Sequence, residues 1–117
     1  MLVSDDEEAL VSLEGHWKRR LNGALDVFRS EPYFLELVPK GIDKARSLSV
    51  LLKEINMKKE EMIAVGDGFN DLSMIQYAGL GVAMANAQPV VRENADYITL
   101  SNDEDGVAAV VEKFILA

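Results

Sequence analysis

Residues 62–84 read MIAVGDGFNDLSMIQYAGLGVAM, and the rest of the fold can be worked out from this stretch. MIAV is a continuous apolar run of the kind found in strands covered on both faces. Gly66 and Gly68 punctuate it, DLSMIQYA carries apolar residues at helical spacing, and GLGVAM is a second apolar run. Two such strands joined by a helix predict a parallel pair with a crossover. Downstream, the short PVVREN, then DYITL, then a helix around 104–116 with Val107, Val110, Val111 and Phe114 on one face continue the alternation. Upstream, Pro39 and Gly41 break the chain, and Ala45, Leu48, Leu51, Leu52 and Ile55 mark a helix from Ile42 to about Ile55. Residues 39–117 are therefore expected to form an α/β layer fold around a parallel sheet.

Residues 1–38 do not share this rhythm. Ser4 followed by Glu7 has the form of a capping box, and Leu10, Leu13, Trp17 and Leu21 then recur at helical spacing, which predicts a helix from about 5 to 21. The Asn22-Gly23 turn leads into ALDVF, and YFLELV follows Ser30-Glu31-Pro32, giving two short strands. This part reads as a piece of an α+β unit, with the domain boundary placed near residues 38–41.

Composition narrows the function classes. Twelve Lys and Arg stand against 20 Asp and Glu, a net charge of −8, with no cluster of basic and aromatic residues. Nucleic acid and anionic membranes are therefore not expected as partners. The chain has no cysteine, which excludes disulfides, thiolate catalysis and Cys-based zinc sites and fits a reducing cytoplasm. MLVSDDEEAL has neither a basic leader region nor a long apolar one, and no apolar run approaches the roughly 20 residues needed to span a bilayer, so a soluble cytoplasmic chain is expected. The single histidine, His16, argues against histidine-based catalysis; it is read as a surface residue and Trp17 as a core residue. Asp5, Asp6, Glu7 and Glu8 are read as first-turn charges complementing a helix dipole.

The turn in GDGFND holds the chemistry. Asp67 falls at the carboxyl end of its strand, where ligands bind in open parallel sheets. Asn70 and Asp71 fall at the cap and first turn of the next helix, where free N–H groups and the helix dipole favour phosphate. Two carboxylates facing a phosphate would repel it unless a hard cation sits between them, and Mg2+ suits such a set. Asp-Gly and Asn-Asp are also ordinary turn and cap residues, and spacing alone leaves both readings open. Lys44, in the first turn of its helix, is mildly unfavourable against the dipole unless something anionic lies nearby; as a surface lysine it would need no partner.

In order along the chain, ELVPKGIDKA, EEMIAVGDGFNDLSMIQYAG, GVAMANA and ENADYITLSNDEDGVA closely resemble the carboxy-terminal part of Cof-like phosphatases of the haloacid dehalogenase superfamily. The resemblance covers residues 30–117 well and the first 30 loosely; GDGFND followed by GVAMANA is its most specific element. It implies a partial Rossmann-like core at 39–117 preceded by the last part of an α+β cap at 1–38. It implies Mg2+-dependent hydrolysis of a small phosphorylated metabolite, such as a sugar phosphate, through an aspartyl-phosphate. Lys44 resembles the family lysine that steadies the phosphoryl group and the nucleophile's charge, and Asp67 the aspartate that ligates magnesium. Asn70 would contact the phosphoryl group, and Asp71 would support the metal's waters or the lysine, so that Asp67 and Asp71 are the metal candidates and Lys44 and Asp71 the catalytic ones. Ala45 stands where many relatives carry glycine, a small departure.

A larger departure is that the family's Asp-x-Asp motif at the end of the first core strand, near the parent chain's amino terminus, with its nucleophile and general acid, is missing here, as is the Ser/Thr site that follows the next core strand; Asp5-Asp6 is adjacent, not spaced by one, and opens a helix. The chain is therefore expected to be a fragment, inactive alone, with the strand at 62–65 left as an exposed edge for a missing amino-terminal half or for a second copy of the chain. A non-catalytic module binding a phospholigand or a protein is the alternative. A receiver-like phosphoacceptor is disfavoured, because it too needs an acidic pair on an earlier strand.

Overall fold

The computed structural model describes residues 1–117, which divide into two compact units, Met1–Ile42 and Asp43–Ala117. In the first, β1 (Leu2–Val3), β3 (Phe34–Pro39) and β2 (Leu25–Glu31) form an antiparallel sheet in the order β1-β3-β2, and α1 (Glu7–Leu21) packs on it. Leu10, Val27 and Leu35 are buried between helix and sheet, with Leu13, Trp17, Leu21 and Leu37 packed around them. His16 is exposed. The helix cap differs from the expected Ser4–Glu7 box: the Asp6 side chain accepts the N–H of Ala9 (3.0 Å) and Ser4 Oγ accepts that of Asp6 (3.1 Å). Glu7 is drawn instead to Arg29 on β2 (3.0 Å), which also reaches Glu14 (3.1 Å), and these two ion pairs fasten the helix to the strand. Hydrogen bonding from Lys18 outweighs the effect of burial, and with Arg29 it holds the Glu14 carboxyl below its ordinary range.

The second unit is the expected α/β layer. β4 (Ile63–Gly66), β5 (Leu80–Ala83) and β6 (Tyr97–Ile98) are parallel in the order β4-β5-β6, so β4 is paired on one side only. Around the sheet run α2 (Lys44–Glu54), α3 (Leu72–Tyr77), α4 (Pro89–Glu93) and α5 (Gly106–Phe114). Ile75 of α3 and Val91 of α4 meet Ala83, Met84 and Ala87 in the core, flanked by Val65, Met74, Val90 and Ala95. Gly81 makes this packing possible, because a Cβ there would overlap the carbonyl of Ile75 and push α3 off the sheet. Two sequence boundaries shift. DYITL yields only a two-residue strand, and the last helix begins at Gly106, because Asn102–Glu104 forms a 3-10 turn and Asp105 turns left-handed at φ 56°. Of the expected apolar face of α5, Val110 is buried while Val107 and Phe114 are exposed. On α2, Leu52 is buried whereas Leu51 and Ile55, also assigned inward from the sequence, are exposed. No helix is long and apolar enough to cross a membrane.

Candidate active site

The site lies at the carboxyl end of β4. Gly66 ends the strand and is buried, Asp67 follows it exposed, and Phe69–Asp71 forms a 3-10 turn that runs directly into α3. The turn is built around Asp71, which is only 6 % exposed. Its Oδ2 accepts the backbone N–H groups of Asp67 (3.0 Å) and Gly68 (3.2 Å), and its own N–H donates to the Gly68 carbonyl (3.0 Å). Gly66 is required beneath it, since a Cβ at that position would collide with the Asp71 side chain.

The other oxygen of Asp71 accepts a hydrogen bond from Lys44 Nζ. Lys44 is the first residue of α2, where Asp43 caps the helix by accepting the N–H of Arg46 (2.8 Å). A cation in that position is disfavoured by the helix dipole, and the Asp71 carboxylate is the anion that offsets it. The Ser73 hydroxyl, in the first turn of α3, accepts the N–H of Ala45 (3.4 Å) and ties the starts of the two helices together. Burial pushes the Asp71 carboxyl upward, but hydrogen bonds from Lys44, Asp67 and Gly68 outweigh it and hold the group below its ordinary range. Asp71 is thus an anion with both oxygens engaged by protein donors.

Asp67 has the opposite character. Its side chain has one protein neighbour, Asn86 Nδ2 at 3.5 Å from Oδ2. Asn86 belongs to the loop after β5, whose backbone is stitched to the same strand end: Met84 N–H donates to Gly66 O and Gln88 N–H to Asp67 O, each at 3.0 Å. That stitching is the physical link between GDGFND and GVAMANA. Asn70 is exposed on the turn beside them.

The structure therefore brings Lys44 and Asp71 into contact, with Asp67 and Asn70 on the same turn. It also brings in two residues not singled out from the sequence, Ser73 and Asn86. Asn86 had a signal, a polar side chain set between two alanines in the loop that follows the strand next to Asp67's; Ser73 had none. The expected supply of free backbone N–H groups is smaller than anticipated, because those of Asp67 and Gly68 are taken by Asp71.

A parallel sheet with crossover helices and an Asp-bearing turn after its edge strand, paired to a lysine on a preceding helix, defines the class: the chain belongs to the haloacid dehalogenase-like hydrolase family, whose sequence profile matches residues 1–111. Among particular relatives, it is 44% identical over 114 residues to the 5-amino-6-(5-phospho-D-ribitylamino)uracil phosphatase YcsE of Bacillus subtilis, a match covering 97% of this chain and 45% of that protein. A haloacid dehalogenase-like hydrolase from Bacteroides thetaiotaomicron, known from its crystal structure, superposes with a TM-score of 0.88 at 62% identity over 97% of this chain and 42% of that one. The HAD subclass IIB sugar phosphatase BT4131 superposes with a TM-score of 0.77 at 33% identity over 89% and 41%. The chain spans less than half the length of these relatives.

Proposed function

We propose that the protein to which this chain belongs is a magnesium-dependent phosphomonoester hydrolase that acts on a small phosphorylated metabolite, such as a sugar phosphate, through an aspartyl-phosphate. The observation that carries the reading is the division of labour between two aspartates on one turn: Asp71 is buried and fully engaged, whereas Asp67 is exposed with one long contact. The names of the relatives, a ribitylaminouracil phosphatase and a sugar phosphatase, support the substrate class.

Magnesium fits this donor set. It is commonly held by one or two carboxylates, with waters and substrate phosphate completing the shell, and Asp67 offers one such carboxylate. A cation at Asp71 would have to compete with Lys44 and two N–H groups, so in this reading Asp67 holds the metal and Asp71 holds the lysine and the turn. When bound, magnesium neutralises charge on the transferred phosphoryl group. Lys44, with a side chain 45% exposed, presents its ammonium to the phosphoryl oxygens while Asp71 fixes its direction. Asn70 donates to the same group from the turn. The attacking carboxylate is assigned to the part of the relatives' length that this chain does not span, on a strand that would add to the free side of β4; a second copy of the chain at that edge is the other arrangement. Unpaired strand edges invite such pairing.

The test is hydrolysis of p-nitrophenyl phosphate. The whole protein should turn over with magnesium and lose most activity in Asp67→Asn, while the 117-residue chain alone should show none, because a lysine and a metal ligand cannot replace a nucleophile. Undiminished activity in Asp67→Asn would refute the assignment.

A further inference from the structure

Asn86 occupies a position whose chemistry is not explained by packing, since its side chain is exposed yet engaged at both ends. Its Oδ1 accepts the backbone N–H of Asn102 (2.9 Å) and its Nδ2 points at Asp67 Oδ2 (3.5 Å). We infer that Asn86 is a positioning residue for Asp67, with its amide locked in one orientation by the backbone of Asn102; this rests on the reading of Asp67 as the magnesium-binding carboxylate.

The two ends of an asparagine amide are nearly alike in shape, so only their partners decide which way round it sits. A backbone N–H can only donate, so Asn102 selects the oxygen of Asn86 and leaves the NH2 group for Asp67. The loop that carries Asn86 is itself fixed. Besides the bonds from Met84 and Gln88 to the end of β4, Ala85 donates its N–H to Leu100 O (3.3 Å) and accepts from Arg92 Nη1 at its carbonyl (3.2 Å). At 3.5 Å the contact with Asp67 is at the outer limit of a hydrogen bond, so it works as a restraint on rotation: it favours Oδ2 turned toward Asn86 and leaves Oδ1 without a protein partner. The residue type follows from charge. An aspartate at this position would repel Asp67, and a lysine or arginine would put a fixed cation where a metal has to bind. A neutral donor orients the carboxylate and leaves its charge intact. Residues that steer metal ligands in this way usually matter for affinity by about 10–100-fold.

The experiment is calorimetric titration of Mg2+ alone into the whole protein, with melting temperature measured alongside. Asp67→Asn should abolish binding. Asn86→Leu, which removes the donor, should weaken it by about tenfold, the low end of that range, because the contact is long. Asn102→Pro deletes the N–H that orients Asn86 and, besides it, an exposed side-chain contact with the adjacent Asp103 (3.2 Å) that does not touch Asn86 or Asp67. Proline suits the first residue of a helical turn, and Ser101 before it is already extended at ψ 170°, so this variant should fold normally and still bind Mg2+ several-fold more weakly. Wild-type affinity in both Asn86→Leu and Asn102→Pro, with or without a lowered melting temperature, would mean that Asn86 is only a structural tie between loops and would overturn the inference. If Asp67→Asn alone loses binding, the reading of Asp67 survives without it; if Asp67→Asn binds normally, both fall.

Discussion

Asp71 joins two different interactions in one side chain, and substitution can separate them. Asp71→Ala would strand the N–H groups of Asp67 and Gly68 and also release Lys44. Each buried group left unsatisfied costs about 1–3 kcal/mol, and the lysine contact, whose partner side chain is 45% exposed, adds about 0.5–1 kcal/mol once solvent screening is allowed for. The expected loss is about 2.5–7 kcal/mol. Asp71→Asn can turn its oxygen to the two N–H groups and its NH2 toward Lys44, which swings to solvent; it should lose about 1–2 kcal/mol. Lys44→Met should lose about 0.5–1 kcal/mol. Urea denaturation of the three variants at neutral pH gives the order directly, with unchanged slopes confirming that only stability has moved. Equal losses in Asp71→Ala and Asp71→Asn would refute the idea that the carboxylate holds the turn through its backbone.

Two other outcomes follow from the same turn. The Asp71 carboxyl is held below the ordinary aspartate value of 3.8 in the folded state, so the unfolded chain takes up its proton first. Its stabilisation is fully present above that value and is lost as pH falls through the lower folded value; acid titration of stability should show this decline, and Asp71→Asn should flatten it. The Cβ of Gly66→Ala would enter the space of the Asp71 side chain, which is anchored at both oxygens, and should cost about 2–3 kcal/mol by urea denaturation. Gly68→Ala meets only the Asn70 side-chain oxygen at 2.8 Å, which can rotate away, and should cost less than about 1 kcal/mol.

How much of this was legible beforehand depended on the range of the interaction. The parallel layer could be read because MIAV and GVAM are continuously apolar and are separated by a helix-length segment, a pattern local in sequence. The periodicity gives α1 to within about two residues but not its cap: Ser4, Asp6 and Glu7 are all good capping residues, and what takes Glu7 away is Arg29 on β2, 22 positions on. The apolar face of α2 was read from spacing, yet Leu51 and Ile55 are exposed, because periodicity names a face and says nothing about whether a neighbour covers it. At the site, the helix dipole leaves Lys44 with two readings, a lysine with an anion nearby or a surface lysine that needs no partner. That Asp71 supplies the anion, 27 positions on, is a tertiary fact. The same holds for Asn86, whose importance comes from a backbone N–H 16 residues further along the chain.

The inward turn of Asp71 has a consequence for how an anion is recognised. Many phosphate sites cradle the ligand in backbone N–H groups, which bind tightly and indifferently to what the phosphate is attached to. Here two of the N–H groups nearest Asp67 are already satisfied by a carboxylate from within the chain. In the proposed phosphatase, recognition would therefore fall to the side chains Lys44 and Asn70 and to the cation assigned to Asp67. Under that reading the site would grip inorganic phosphate weakly without its cation and respond steeply to ionic strength, as would suit an enzyme that has to let go of phosphate after hydrolysis.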